Sequence, residues 1–512
     1  MVACVHSAVL SGIDARPVRV EVHVGHGLPT FTMVGLPDAA VRESRDRVRA
    51  AVGASGFEWP RRRIIVNLAP SDLRKCGSGL DLAIALGVLA ASGVLDPPAL
   101  EGWAFAGELS LDGTVRPVSG IPVLADAVAG RRLVVSDQCA DDAVHIDGCA
   151  TAPDLTQVVA RLTGRRPWGR PGARGRLTTA PVEPSGPGTG PIAADLAVVR
   201  GQHLARRALE AAAAGGHHLL LVGPPGSGKT LLARCLPGLL PDLDDEAAGE
   251  VRRIASVGLP QPGPGAPTVR PPFRAPHHGI SAVAMVGGGA PLLPGEVTRA
   301  HRGVLFCDEL GEFAPAVLDH LRQPMEEGVV RVSQARRTVE LPARFLLVAA
   351  MNPCPCGEGG APGACRCTPA ARARAARRVS GPLLDRFALA VRVERPPADQ
   401  LLGATPGAPT APAARRVADA RDRARSRQGG LNAVLGPDLL EAHAALAPDA
   451  ADLLAAHLRT GRCTVRGLHD LRRLARTLAD LDGLEGPLGP EVVGEAIHLR
   501  GSRALLMGEE AA

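Results

Sequence analysis

Residues 223–230 read GPPGSGKT, which matches the pattern G-x-x-x-x-G-K-S/T of loops that bind nucleotide phosphates. The apolar run LLLV precedes them and TLLARCL follows, so a buried strand, a glycine-rich loop and a helix are expected in that order. The glycines let backbone N–H groups turn toward phosphate oxygens, Lys229 would reach the β- and γ-phosphates, and the Thr230 hydroxyl would ligate Mg²⁺. The predicted contacts to ATP and Mg²⁺ are Gly223, Pro224, Pro225, Gly226, Ser227, Gly228, Lys229 and Thr230.

A second set of polar residues follows two other apolar runs. GVLFCDE ends in an acidic pair, of which Asp308 would hold Mg²⁺ and Glu309 would polarise the attacking water. FLLVAAMN ends in Asn352, whose amide would bridge the γ-phosphate and that water. Because the carboxyl ends of parallel strands meet at one edge of a sheet, these side chains are expected to converge there.

Two arginines complete the predicted constellation. Arg386 follows an apolar turn in GPLLDRFAL, and a guanidinium offered across a subunit interface neutralises charge in a phosphoryl-transfer transition state. Arg466 lies near the start of a stretch whose leucines recur at helical spacing. The alternative for each is an arginine that is simply solvated.

Four cysteines fall close together in MNPCPCGEGGAPGACRCTPA, at positions 354, 356, 365 and 367. Two C-x-C pairs supply enough thiolates for a closed tetrahedral zinc site, which would be structural because no ligand position remains for water. An iron–sulfur cluster and a loop of reduced cysteines are the alternatives. A metal bound by Cys354, Cys356, Cys365 and Cys367 would staple the segment that joins Asn352 to Arg386.

The pattern of elements indicates an α/β protein with more than one domain. Short β-type runs alternate with helical stretches over 1–165, and apolar runs typical of a buried parallel sheet recur over 192–395. Residues 166–191 and 396–412 are rich in proline and lack periodicity, so both are predicted to be linkers. The last segment, 413–512, is predicted to be almost wholly helical and to form a small lid.

Composition limits the function classes. The 512 residues carry a net charge of +6, which permits a nucleic-acid partner without requiring one. Tyrosine is absent and aromatic residues make up 2%, so there is little material for base stacking. No window reaches the roughly 20 uncharged apolar residues of a membrane helix, and no secretory leader is evident. A cytoplasmic protein without membrane contact is expected.

In this order, the motifs resemble those of the AAA+ ATPases, and more narrowly of the YifB/ComM family of magnesium-chelatase-like proteins. RPPFRAPHHGISAVAMVGGGAPLLPGEVTRAHRGVLFCDELGEF and LVAAMNPCPCG carry the resemblance together with GPPGSGKT, and it extends over nearly the whole chain. The resemblance implies a homo-oligomeric ring, expected to be a hexamer. It also implies that Asn352 is sensor 1, Arg386 the arginine finger and Arg466 sensor 2, in its own or a neighbouring subunit, and that Gln202 lies beside the adenine.

The first domain resembles the proteolytic domain of Lon, which has a ribosomal S5 domain 2-like fold. The Lon-type catalytic lysine would fall at Pro122 and the nucleophile at Gly79, so the expected dyad is missing. Lys75 is the only lysine of this domain and one of two in the chain. A pairing of Lys75 with Ser78 is the remaining way to build a Ser–Lys dyad. A non-proteolytic domain used for binding or assembly is expected.

Two segments could contact what the ATPase moves. The resemblance implies that the glycine-rich stretch between the acidic pair and the phosphate loop faces a central pore. EEGVVRVSQARRTVELPARF could form a hairpin that carries Arg336 and Arg337 to a DNA backbone, or a hairpin with a solvated tip. The resemblance to ComM implies branch migration of DNA taken up in transformation. The alternative is a chelatase-type or chaperone-type ATPase that remodels a protein partner.

Overall fold

A computed structural model describes residues 1–143, 146–168, 194–258, 270–289, 292–334, 337–358, 365–396, 407–459 and 463–501. The chain divides into two compact units. One contains 1–182, 249–268 and 288–294, and the other contains 183–248, 269–287 and 295–512. Most of the linkers expected at 166–191 and 396–412 lies outside the described residues.

The first unit is built on a seven-stranded sheet. Its strands and helices up to residue 162 are β1 (Val2–Ser11), β2 (Asp14–Gly25), β3 (Thr30–Val34), β4 (Arg63–Ala69), β5 (Trp103–Phe105), β6 (Glu108–Leu109), β7 (Val115–Arg116), β8 (Arg132–Ser136) and β9 (Cys149–Ala152), with α1 (Ala39–Ala54), α2 (Asp81–Ala91), α3 (Ile121–Ala127), α4 (Ala140–Ala143) and α5 (Leu155–Leu162). The strand order is β3-β4-β2-β1-β5-β8-β9. Strand β2 is antiparallel to both of its neighbours, β4 and β1, and all other neighbouring pairs are parallel.

Helix α2 is the central helix of this unit. Its sequence, DLAIALGVLAA, is apolar on every side after Asp81, and each of its residues is buried. A helix that is apolar all round needs neighbours on all faces, and α2 packs on both β1 and β2. Gly87 permits this contact, because a Cβ at that position would lie 2.5 Å from Val22 Cγ2. Among the described residues, no helix is both long and apolar enough to span a membrane.

The second unit contains a five-stranded sheet. The strands from residue 219 onward are β10 (Leu219–Val222), β11 (Phe273–Arg274), β12 (Gly287–Gly288), β13 (Leu293–Pro294), β14 (Val304–Cys307), β15 (Val329–Gln334), β16 (Arg337–Pro342), β17 (Leu346–Met351) and β18 (Leu389–Arg392). The helices are α6 (His203–Gly215), α7 (Lys229–Cys235), α8 (Asp245–Val257), α9 (Ala282–Val286), α10 (Glu296–Arg299), α11 (Pro315–His320), α12 (Arg322–Glu327), α13 (Pro369–Arg377), α14 (Gly381–Leu384), α15 (Thr410–Gln428), α16 (Pro437–His443), α17 (Pro448–Arg459), α18 (Val465–Leu481) and α19 (Pro490–Arg500).

All neighbours in the five-stranded sheet are parallel, in the order β11-β14-β17-β10-β18. The inner strands β10, β14 and β17 are buried at every position, which explains why their sequences are unbroken apolar runs. The parallel α/β class expected for this segment is therefore confirmed. Since every strand runs the same way, the residues that follow β10, β14 and β17 emerge at the same edge.

A buried polar network joins the helices after residue 410 to this sheet. His217, just before β10, places Nε2 2.7 Å from Thr477 Oγ1 on α18. Burial lowers the pKa of His217 to about 3, so the ring is neutral. Asn432 donates to Thr477 at 3.1 Å and to Asp480 at 2.8 Å, and Asp480 also pairs with Arg427 at 2.7 Å. The helical segment is thus held by directional bonds as well as by apolar packing.

Candidate nucleotide-binding site

The glycine-rich loop connects β10 to α7, as its sequence context indicates. Gly226 and Gly228 have φ values of 75° and 92°, in the left-handed region that favours glycine. Gly223 serves a different purpose, because a Cβ there would lie 2.1 Å from the carbonyl oxygen of Val393. The loop can therefore pass close to the end of β18 only with glycine at 223.

The ammonium of Lys229 lies at the centre of the loop. Its Nζ donates to the carbonyl oxygens of Gly223 and Pro224, each at 2.8 Å, and to Asn352 Oδ1 at 3.2 Å. Burial lowers the pKa of Lys229, while the nearby carboxylates of Asp308 and Glu309 act in the opposite direction. A cation surrounded by uncharged oxygen acceptors can exchange them for phosphate oxygens.

Thr230 and Asp308 meet although they lie on different elements. Thr230 is on the first turn of α7, Asp308 follows β14, and the Thr230 hydroxyl donates to Asp308 Oδ2 at 2.8 Å. A hydroxyl and a carboxylate are the hard oxygen ligands that Mg²⁺ prefers. The two residues fit a Mg²⁺ that also contacts nucleotide phosphates.

Glu309 follows Asp308 in a strained backbone conformation, with φ 53°. Such a conformation costs about 1–3 kcal/mol at a residue with a Cβ and is concentrated at functional sites. The half-exposed carboxylate has His278 as a neighbour, with 3.5 Å between Nδ1 and Oε2. The rings of His277 and His278 lie 4.0 Å apart, and Phe313 meets His278 edge-on at 6.5 Å.

His278 is a candidate site residue that sequence reasoning missed. It follows β11, whose carboxyl end lies at the same sheet edge as those of β14 and β17. The histidine pair of RAPHHG was visible in the sequence, but the preceding VRPPF is not the apolar run that marked the other strands. It could not be interpreted without knowing that β11 is the strand beside β14.

Arg386 and Arg466 converge on one carboxylate. Arg386 Nη2 and Arg466 Nη1 each lie 2.6 Å from Glu326 Oε1, at the end of α12. The hydrogen bond from Arg466 and, after it, the one from Arg386 lower the pKa of Glu326 and outweigh desolvation, which acts in the opposite direction. The two arginines therefore lie together, and the partner described for both is Glu326 rather than the phosphate loop of the same chain.

Gln202 lies at the N-terminal end of α6 with a left-handed backbone, φ 54°. Its side-chain amide donates to the carbonyl of Glu394, after β18. The adjacent Arg395 approaches the carbonyl oxygen of Pro225 at 3.4 Å, so Gln202 contacts the same segment that approaches the phosphate loop. Nothing in these contacts identifies an adenine pocket.

The four cysteines are brought together. All four Sγ atoms lie within 4.8 Å of one another, and the separations include 3.3 Å between Cys354 and Cys356 and 3.6 Å between Cys356 and Cys365. A Zn–S distance of about 2.3 Å in a tetrahedral site gives S···S edges of about 3.8 Å, whereas a disulfide requires about 2.05 Å. The donor set therefore fits one Zn²⁺.

In the first unit, Lys75 and Ser78 have separate partners. The Lys75 ammonium is fully buried and donates to the carbonyl of Pro70, while the Ser78 hydroxyl donates to Glu108 Oε2. A Ser–Lys dyad requires the amine to accept a proton from the hydroxyl. The described hydrogen bonds do not have that arrangement.

Three family models together match most of the chain. The model described as subunit ChlI of Mg-chelatase matches residues 20–137, that of magnesium chelatase, subunit ChlI, matches 195–401, and its C-terminal counterpart matches 407–500. The phosphate loop, the acidic pair and the cysteines all fall within the second match. This fold and site define a magnesium-chelatase-like AAA+ ATPase.

Full-length relatives narrow the class. The chain is 41% identical to YifB of Salmonella typhimurium over 99% of its own length and 98% of the relative. It is 40% identical to the competence protein ComM of Haemophilus influenzae, with 98% of each chain covered. The chloroplastic magnesium-chelatase subunit ChlI of Chlamydomonas reinhardtii is 27% identical over 26% of this chain and 37% of the relative. The chain belongs to the YifB/ComM family, and the expected resemblance is confirmed.

Proposed function

We propose that this chain is one subunit of a ring-forming ATPase that couples ATP hydrolysis to translocation along DNA, branch migration or DNA remodelling. The assembled phosphate site is the observation that carries the proposal. Thr230 meets Asp308, and Lys229 meets Asn352, although these residues come from three separate strand ends. ATP and Mg²⁺ are the ligands that fit this set of donors and acceptors.

Each residue of the site has a role in this proposal. Lys229 neutralises charge on the transferring phosphoryl group, and Thr230 and Asp308 hold Mg²⁺. Glu309 accepts a proton from the attacking water, and Asn352 orients that water against the γ-phosphate. Gln202 is proposed to lie beside the adenine.

The proposed assembly is a ring, most simply a hexamer, in which a neighbouring subunit contributes further positive charge to the nucleotide site. Arg386 is the proposed arginine finger and Arg466 the proposed sensor 2. Their shared pairing with Glu326 supports a common direction of action, in which both serve a nucleotide held by the neighbouring subunit. A guanidinium added at that point stabilises the transition state.

Support for DNA comes from the family and from one surface element. The relative from Haemophilus influenzae is named a competence protein, and the net charge of +6 suits a polyanion. Strands β15 and β16 form an antiparallel pair from Val329↔Pro342 to Gln334↔Arg337. The Arg336 position lies outside the described residues, as does the side chain of Arg337. Arg331, on the same hairpin, is already paired with Glu340 at 2.8 Å.

The test is ATP hydrolysis with and without single-stranded and branched DNA over a salt series. We expect stimulation that weakens as salt rises, because phosphate contacts release counterions. Lys229→Met should remain inactive under every condition and so controls for contaminating ATPases. Hydrolysis that is unaffected by DNA, together with no salt-sensitive binding, would rule out the DNA part of the proposal and leave the ATPase part intact.

A protein partner is the second candidate. The match to magnesium chelatase subunit ChlI over residues 195–401 favours it. That family is named for a metal-inserting enzyme of which ChlI is one subunit, so an ATPase core of this kind can act on a protein instead of on DNA. In that case hydrolysis should respond to a protein fraction and not to DNA.

Three further assignments belong to the same proposal. The four cysteines hold a structural Zn²⁺. The helices from α15 to α19 act as the lid of the ATPase core. The first unit is a Lon-like domain that serves binding or assembly. It has no protease activity, and this part of the assignment is supported by the separate partners of Lys75 and Ser78.

A further inference from the structure

The cysteine cluster touches the phosphate loop. Gly357, the residue after Cys356, has φ 87°, and its N–H donates to the carbonyl of Cys354 at 2.9 Å. A Cβ on Gly357 would lie 2.2 Å from Cδ and 3.0 Å from Cγ of Pro225. The turn that carries the first two cysteines therefore lies directly against the second proline of GPPGSGKT.

A side-chain bridge reinforces this contact. Glu358 Oε1 accepts from Arg395 Nη2 at 2.8 Å, and Arg395 Nε points at the carbonyl oxygen of Pro225 at 3.4 Å. The first distance is that of a good charge-assisted hydrogen bond, and the second is long and correspondingly weak. Arg395 thus joins the cysteine turn to the end of β18 and to the phosphate loop.

The second pair of cysteines leads to the acidic pair. Thr368, immediately after Cys367, caps α13 by accepting from the N–H of Ala371 at 3.2 Å. At the far end of that helix, Arg378 donates to Glu312 Oε1 at 2.7 Å and to the carbonyl of Gly311 at 3.1 Å. Gly311 and Glu312 lie two and three residues after Glu309 in the chain. The cluster therefore lies between the two motifs that handle ATP.

We propose that the metal ion held by Cys354, Cys356, Cys365 and Cys367 supports the phosphate loop through Gly357 and Pro225, so that metal loading sets the affinity for nucleotide. The cysteines are positioning residues in this role and do not touch the nucleotide. The inference rests on the proposed ATPase function. It goes beyond a structural metal site because it assigns the metal to the support of the phosphate loop and predicts that nucleotide affinity falls when the metal is lost.

The physical basis is the partial exposure of three of the four cysteines. Cys354 is buried, whereas Cys356, Cys365 and Cys367 are only half-buried, so apolar packing contributes little there. Four metal–sulfur bonds fix both short cysteine segments at once, and their loss frees the turn from its neighbours. Pro225 then loses the surface against which it lies, and the loop must be ordered at the expense of nucleotide binding free energy.

The experiment uses the full-length protein purified without added metal. Zinc content is measured by elemental analysis, and the dissociation constant is measured with a fluorescent N-methylanthraniloyl-ADP. The variant Cys365→Ser/Cys367→Ser removes two ligands, Glu358→Gln keeps all four but breaks the bridge to Arg395, and Cys4→Ser changes a cysteine outside the cluster. Hydrogen exchange of the 219–235 segment reports whether β10 and α7 remain folded.

We expect one zinc per wild-type chain. The double variant should lose it, with a dissociation constant about tenfold higher and β10 and α7 still protected from exchange. Glu358→Gln should keep its zinc and bind the nucleotide several-fold more weakly, while Cys4→Ser should match the wild type.

Two results would overturn the proposal. Zinc that is present and then lost without any change in the dissociation constant would leave a metal site with no influence on the loop. A wild-type protein without zinc, both as purified and after incubation with Zn²⁺, would remove the site itself. Failure of the ATPase proposal is distinguishable, because the wild-type protein would then bind no nucleotide whatever its zinc content.

Discussion

The two lysines of the chain lie in regions that treat the same ammonium differently. Lys229 in the phosphate loop is 8% exposed and donates to two carbonyl oxygens and to the amide of Asn352. Lys75 in the first unit is 0% exposed and donates to the carbonyl of Pro70. Burial lowers the pKa of both side chains. What differs is exposure, because Lys229 is partly open to solvent and, in the proposed ATPase, to phosphate, whereas Lys75 has no exposed surface.

The backbone around Lys75 shows what that residue does instead. Its N–H donates to Leu36 O at 3.2 Å and its carbonyl accepts from Asp38 N at 3.0 Å, which ties the segment after β4 to the segment before α1. The side chain closes the turn that starts at Pro70. A buried lysine is thus evidence of a reactive site only where its acceptors can be exchanged.

The largest effect is expected from Glu309→Gln. The amide cannot accept the proton of the attacking water, so turnover should fall by about 10²–10⁴-fold while nucleotide still binds. Steady-state hydrolysis and N-methylanthraniloyl-ADP binding measure the two quantities on one preparation. Unchanged turnover would show that Glu309 is not the residue that activates water.

Lys229→Met should weaken nucleotide binding at least tenfold, because the phosphates lose a charged hydrogen-bond donor. The measurement is the dissociation constant for N-methylanthraniloyl-ADP. Arg at the same position is the matched control, since it restores the charge without the compact ammonium. Full affinity in the Met variant would contradict the contrast between the two lysines.

His278→Ala tests whether the neighbour of Glu309 positions it. We expect kcat to fall several-fold with little change in nucleotide affinity, because His278 lies 3.5 Å from the Glu309 carboxylate and does not touch the phosphate loop in any described contact. His278→Asn keeps a hydrogen-bond donor and should recover part of the rate. Equal losses in kcat and affinity would indicate a structural defect instead.

The smallest effect is expected from Lys75→Met. The side chains are similar in volume, and Met removes a buried charge together with its hydrogen bond, so the free energy of unfolding of the first unit should change by no more than about 1 kcal/mol. The three tryptophans, at 59, 103 and 168, are all in that unit and the chain has no tyrosine, so intrinsic fluorescence follows its unfolding. ATP hydrolysis should not change. A large loss of hydrolysis would give Lys75 a role that its buried position does not suggest.

The features that could be predicted from the sequence are those determined by residues adjacent in the chain. The strand, loop and helix around Lys229 follow from adjacent residues, and the parallel sheet follows from apolar runs at β10, β14 and β17. The cysteine spacing predicted proximity of four thiols for the same reason. Contacts between distant segments had no such signal.

Three of those contacts show the limit. His278 precedes Glu309 by 31 residues, and their meeting depends on the neighbouring places of β11 and β14 in the sheet. Glu326 lies 140 residues before Arg466, and no charge pattern in the sequence connects them. The packing of Gly357 on Pro225 depends on a positive φ and on backbone shape, neither of which residue type alone determines.

The shared carboxylate of Glu326 has a consequence for assembly. In an isolated subunit, the carboxylate of Glu326 partly neutralises the positive charges of Arg386 and Arg466. In the proposed ring, a neighbour's triphosphate must compete with Glu326 for both guanidinium groups, so subunit contact exchanges one anion for another. A neighbouring subunit that holds a nucleotide therefore binds these arginines better than an empty one does. In this way Glu326 makes the affinity between subunits depend on whether the adjacent site contains nucleotide.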